Sequence, residues 1–139
     1  MLDYYFNDKF DTKKYLSDYK LNKITLSSLR LQLEELTEIK GQSNNGKVQT
    51  SPKFDGLENL AIHKIKIKEK ILAYESYFNT YERAWDNLTD EEKYILDIFF
   101  KHRASEPLYR AKKHLGFEKS HVYEKLREAI KKFEKLIIG

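Results

Sequence analysis

Glu106–Ile137 reads EPLYRAKKHLGFEKSHVYEKLREAIKKFEKLI, and two amphipathic segments meet in it at Leu115-Gly116-Phe117. In the first segment Leu108, Ala111 and Leu115 fall at i, i+3 and i+7, which makes one inward helical face. Gly116 stands where the chain reverses, a position that favours a residue tolerant of positive φ. Phe117 follows as an apolar plug. In the second segment Val122, Leu126, Ala129, Ile130 and Phe133 are helically spaced and point inward. Lys119, Ser120, His121, Tyr123, Glu124 and Arg127 are left outward or flanking. One face to hold a helix rigid and one to meet the major groove are what a helix-turn-helix needs. That arrangement is the expectation here.

Charge placement agrees with it. From Pro107 to Gly139 there are nine bases and four acids, a balance of +5, whereas the remaining residues hold 17 bases and 18 acids. The whole positive excess of a chain with net charge +4 therefore sits in this stretch, as an electrostatic footprint for nucleic acid requires. Arg110, Lys112 and Lys113 on the first helix suit phosphates, which set orientation, and Lys119 and Arg127 on the second suit guanine or phosphate. Glu124 can accept from a cytosine amino group, and Ser120 can pair with either kind of edge. A solvated, lysine-rich helix surface has the same composition, so charge alone does not separate the two.

Upstream, Thr89-Asp90-Glu91-Glu92 predicts a capping box with acids at the positive end of a helix. Tyr94, Ile95, Ile98 and Phe99 form its apolar face, and its end is expected near Arg103. Ala104-Ser105-Glu106 reads as a turn, and Pro107 fits the first helical position, where its missing N–H is harmless.

The N-terminal part reads as two long helices. The first ten residues, with Tyr4, Tyr5, Phe6 and Phe10, have no period and are expected as a short helix or a packed arm. A helix capped by Asp11 or Thr12 is predicted to run to Lys40, with Leu26, Leu29, Leu33 and Leu36 as its stripe and Gly41 just beyond its end. Residues 41–56 read as a loop. From Leu57 a second helix carries Ile67, Ile71, Tyr74, Phe78, Tyr81, Trp85 and Leu88 at alternating spacings of four and three, an a/d seam. The expected organisation is a helical hairpin and dimerisation region over 1–87 and a DNA-binding domain over 88–139, all-α throughout. A homodimer is the favoured state, because a two-helix hairpin alone buries little.

The run LTDEEKYILDIFF…LYRAKKHLGFEKSHVYEKLREAIKKF resembles region four of bacterial sigma factors, in its acid-capped helix, short helix, glycine turn and basic helix. The whole chain is similar to phage-encoded regulators of the RinA/ArpU type, which join an N-terminal helical part to a sigma-region-four-like end and activate late phage genes. The SPKFDG segment (Ser51–Gly56) is similar to one common in that group. The resemblance implies that Lys119, Ser120, His121, Tyr123 and Glu124 face the groove. Three positions depart from the pattern. Lys112 stands in place of a small residue; Lys125 takes a usually apolar position, with Leu126 assuming its role; and Glu118 replaces a capping Ser or Thr, for which Ser120 is the alternative.

Composition excludes several other classes. With no cysteine there is no disulfide or thiolate chemistry, which suits a reducing cytoplasm. No apolar run approaches about 18 residues, and the start, MLDYYFNDKF, is not patterned as a signal sequence, so no membrane partner is expected. His63, His102, His114 and His121 have no metal-site spacing, no phosphate-binding glycine loop is present, and no catalytic constellation or cofactor is expected. The function expected is a cytoplasmic, sequence-specific regulator that binds double-stranded DNA near a promoter and contacts RNA polymerase. The rivals are the small subunit of a phage terminase and a polymerase- or sigma-type adaptor that does not read DNA.

Overall fold

The protein is all-α: every element among the described residues is a helix. The computed structural model describes Tyr5, residues 9–43 and residues 53–139, with the backbone alone for 39–43, 53–55 and 57. The helices are α1 (Thr12–Ser17), α2 (Tyr19–Ser43), α3 (Lys53–Asp86), α4 (Asp90–Leu96), α5 (Pro107–Leu115) and α6 (Lys119–Ile138), with a π-helical turn at Asp97–Lys101 directly after α4. Tyr4 and Phe6 lie outside the described residues, as do 44–52 of the expected 41–56 loop. The parts of that loop that are described are helical: α2 runs through Gly41 to Ser43, and α3 starts at Lys53 rather than near Leu57. A single glycine costs a helix only about 1 kcal/mol, and two long helices absorb that.

The chain forms two compact units, one of residues 1–22 with 76–139 and one of residues 23–75. The boundaries expected at 87 and 88 are therefore not where the units part. Residues 1–22 join 76–139 through a shared cluster of buried aromatic residues.

In the first unit, the side chain of Asp11 caps α1 by accepting from the Lys14 N–H at 3.1 Å. The helix expected to continue to Lys40 instead breaks at Asp18. The break leaves carbonyls at the end of α1 needing donors, and buried tyrosines of α3 supply them. The Tyr77 hydroxyl donates to the Tyr15 carbonyl at 2.6 Å, and the Tyr81 hydroxyl donates to that of Leu16 at 3.0 Å. In return the Tyr15 hydroxyl donates to the Tyr77 carbonyl at 3.3 Å. All three rings are almost wholly buried. Burial pushes each hydroxyl well above the ordinary tyrosine range, so they stay protonated donors.

Around them Tyr15 lies 4.7 Å from Tyr77 and 6.1 Å from Phe133 of α6, and Tyr81 lies 5.1 Å from Phe133, between ring centroids. Tyr5 and Phe10 close one side, and the Tyr5 hydroxyl donates to Asp18 at 2.9 Å. Lys101, from the π turn, holds its ammonium 4.2 Å from the Trp85 ring and 4.5 Å from that of Tyr19. The seam expected to face a partner helix is buried within the chain at Tyr81 and Leu88, with Trp85 partly buried, and Tyr77 and Ala84, off that seam, are equally buried.

Thr89 and Glu92 make the predicted capping box, at 3.2 Å and 2.8 Å. Glu92 also accepts from the Lys132 ammonium at 2.9 Å, which ties α4 to α6. Burial raises its carboxyl, but the hydrogen bonds from Lys132 and Thr89 outweigh that and hold it below the usual range.

In the second unit, Leu26, Leu29 and Ile67 are buried, Leu33, Leu36, Ile71 and Tyr74 are half-buried, and Arg30 pairs with Glu75 at 2.8 Å. The leucine stripe therefore faces inward as its spacing predicts. Ile24 and Leu31 on α2, and Ile62, Ile65 and Leu72 on α3, are about half exposed or more.

Replacing Tyr77 by Phe keeps the ring but leaves the buried Tyr15 carbonyl without its donor. Urea denaturation of this variant is expected to show a loss of about 1–3 kcal/mol. An unchanged midpoint would mean that the hydroxyl contributes nothing to joining α1 and α3.

Candidate nucleic-acid interface

The turn between α5 and α6 is set by one backbone angle. Gly116 has φ +71°, and its N–H donates to the Lys112 carbonyl at 2.9 Å, closing α5. A Cβ at this position would meet no atom within 4 Å, so the demand for glycine is conformational rather than spatial. Glu118, at φ −75° and ψ 162°, is the N-cap of α6 without a side-chain cap bond. The alternative cap, Ser120, lies inside the first turn, because α6 begins at Lys119. Phe117 is half-buried and stacks on His121 at 4.0 Å, which holds that imidazole against the turn.

Along α6 the inward face is as expected: Val122, Ala129 and Phe133 are fully buried and Leu126 nearly so. Ala111 of α5 is fully buried, with Leu108 and Leu115 half-buried beside it. Small Ala111 and Ala129 let helices approach closely, and α5 and α6 are in direct contact. Lys125 is half-buried, with its ammonium 3.9 Å from both Glu91 and Glu128, and the adjacent Leu126 is the residue that packs inward.

The predicted site residues fall into three groups. Lys119, Ser120, His121, Glu124 and Arg127 are exposed on α6. Tyr123 is half-buried, edge-on to Phe99 at 6.4 Å, so it flanks the polar face and does not stand out on it. On α5, Lys112 and Lys113 are exposed. Arg110 is exposed too, but it is not the uncommitted phosphate ligand that its charge suggests. Its Nε donates to the Ser105 carbonyl at 2.6 Å and a terminal nitrogen donates to Ser105 Oγ at 3.1 Å.

That brace has a physical purpose. Arg103 and Glu106 both hold positive φ, 48° and 50°, which non-glycine residues adopt at some expense. The turn that carries them leads into Pro107, the first residue of α5 as predicted. The arginine clamp, together with the Ala104 N–H bonded to the Ile98 carbonyl at 2.9 Å, over-determines this conformation. The helix ends near Arg103 as expected, at Lys101, but its last turn widens to π form from Asp97, with His102 paired to Asp97.

Charge counting on the sequence missed Tyr109 and the Tyr94–His114 stack, where the rings lie 4.1 Å apart. Tyr109 carries no charge, and its one legible signal is its place one turn before Lys113. Among the described residues no group of three or more His, Cys, Asp or Glu is placed to hold a metal ion, and no helix is long and apolar enough to cross a membrane.

Gly116→Ala adds a Cβ in open space but places it at positive φ. A stability loss of about 1–2 kcal/mol is expected in chemical denaturation, and a neutral result would show that the turn is not fixed by that angle. No family model, curated protein or solved structure matches this chain.

Proposed function

We propose that the chain is a sequence-specific DNA-binding regulator of phage or prophage genes, in which α5 and α6 act as a helix-turn-helix and α6 enters the major groove. The observation that carries this reading is the division of α6 into two faces. Val122, Leu126, Ala129 and Phe133 are sealed against the core, while Lys119, Ser120, His121, Glu124 and Arg127 are exposed. A helix clamped from behind loses little freedom when its outer face binds, which is what base readout needs. The net charge of +5 from Pro107 to Gly139 supports the same ligand, through attraction to phosphates.

If Lys119 or Arg127 contacts a base edge, its replacement by alanine weakens binding to the preferred site by about 1–3 kcal/mol and relaxes specificity at one position. Selection of genomic fragments by the full chain supplies that site, and gel shifts measure the variants. Wild-type affinity in both variants would remove α6 from the groove.

Two copies on paired half-sites, near a promoter and in contact with RNA polymerase, complete the proposal. The apolar residues available to a second copy are the exposed Ile24 and Leu31 of α2 and Ile62, Ile65 and Leu72 of α3, and not the Tyr81–Leu88 seam. Light scattering is expected to give the mass of a dimer, and Leu72→Glu to halve it. A monomeric parent chain would rule the dimer out.

A further inference from the structure

Tyr94 of α4, Glu106 at the cap of α5, and Tyr109, Arg110, Lys113 and His114 of α5 line an open cleft of about 590 Å³. One wall is held in place: His114 is stacked on Tyr94 with their planes 26° apart, and the Tyr94 hydroxyl donates to the Arg110 carbonyl at 3.3 Å. The Arg110 guanidinium contributes its charge, although two of its nitrogens already donate to Ser105. Tyr109 and Lys113 stand one turn apart on the face of α5 opposite the sealed Ala111. Tyr109 is 60% exposed, and the Lys113 ammonium lies 5.8 Å from its ring. The cleft thus gathers a phenol hydroxyl, an ammonium, an imidazole and a guanidinium, against the single acid Glu106. Such a set suits a small oxyanion with several acceptor oxygens.

We propose that this cleft seats one backbone phosphate of a DNA duplex, with Tyr109 Oη and Lys113 Nζ as its donors and the Tyr94–His114 stack as its wall. The proposal rests on reading α5–α6 as a helix-turn-helix, because in that geometry the first helix crosses the backbone while the second lies in the groove. It gives Arg110 the role of brace and background charge, and it brings in Tyr109, a neutral residue. Phosphate contacts carry no sequence information but fix register and orientation. The cleft accordingly sets the angle at which α6 meets the bases.

The test is fluorescence anisotropy of the full chain with a mixed-sequence DNA duplex over a series of salt concentrations. Tyr109→Phe removes one hydroxyl and no charge; affinity is expected to fall about tenfold, with the salt dependence unchanged. Lys113→Ala lowers affinity and reduces the slope of log affinity on log salt by about one. Lys68→Ala, an exposed cation of α3 outside the cleft, is expected to bind as the parent does. If Tyr109→Phe binds like the parent, or Lys68→Ala loses as much as Lys113→Ala, the attraction is diffuse and the cleft is overturned. If the duplex depends on Lys119 and Arg127 but not on Tyr109 or Lys113, the cleft alone falls and the groove reading stands. If the parent binds no duplex, both fall together.

Discussion

The exchange of hydroxyl and carbonyl groups among Tyr15, Leu16, Tyr77 and Tyr81 is the constraint on which the first unit is built. A helix that stops inside a core strands its last carbonyls, and a buried carbonyl without a donor is destabilising by about 1–3 kcal/mol. Short α1 can therefore end where it does only because α3 brings phenols to meet it. Tyrosine is suited to this place, since its ring fills the core and its hydroxyl serves the backbone at the same point. No buried side-chain nitrogen or oxygen among the described residues lacks a partner, so the polar account of this core closes.

The same aromatic cluster reaches Phe133, and through it the clamped face of α6. From there the geometry passes to the surface by a few local devices. The Glu92–Lys132 bond holds α6 to α4, Gly116 sets the turn, and the Arg110–Ser105 clamp holds the strained approach to Pro107. Two of these act on the backbone and one joins half-buried side chains, and Lys112, Lys113, Lys119 and Arg127 of α5 and α6 are left exposed. A preorganised polar face of this kind binds with less ordering of its own side chains and backbone.

Charge count and charge availability differ at this surface. Arg110, Lys112 and Lys113 are equivalent as formal charges, yet Arg110 has already placed two nitrogens on Ser105 while Lys112 and Lys113 remain exposed. Lys125 similarly lies between Glu91 and Glu128. The field over the face is the sum of all these charges, but directional contacts fall to the ones without a prior partner.

Local periodicity and end chemistry alone determined the helical class, a helix start at Asp11 or Thr12, the Thr89–Glu92 box, Pro107 at a helix start, the Gly116 reversal and the inward residues of α6. Each of these depends on residues within one or two turns of one another, where spacing has a direct geometric meaning. Only the tertiary structure decided the rest. The break at Asp18 and the burial of Tyr77 depend on a hydrogen bond between residues 62 apart in the chain. The partner of the Tyr81–Leu88 seam was undecided for the same reason: a seven-residue period reports that a face is buried and is silent about what covers it. Here the cover is α1 and α6 of the same chain. Tyr123 at the flank and Arg110 on Ser105 likewise needed neighbours that no linear pattern names.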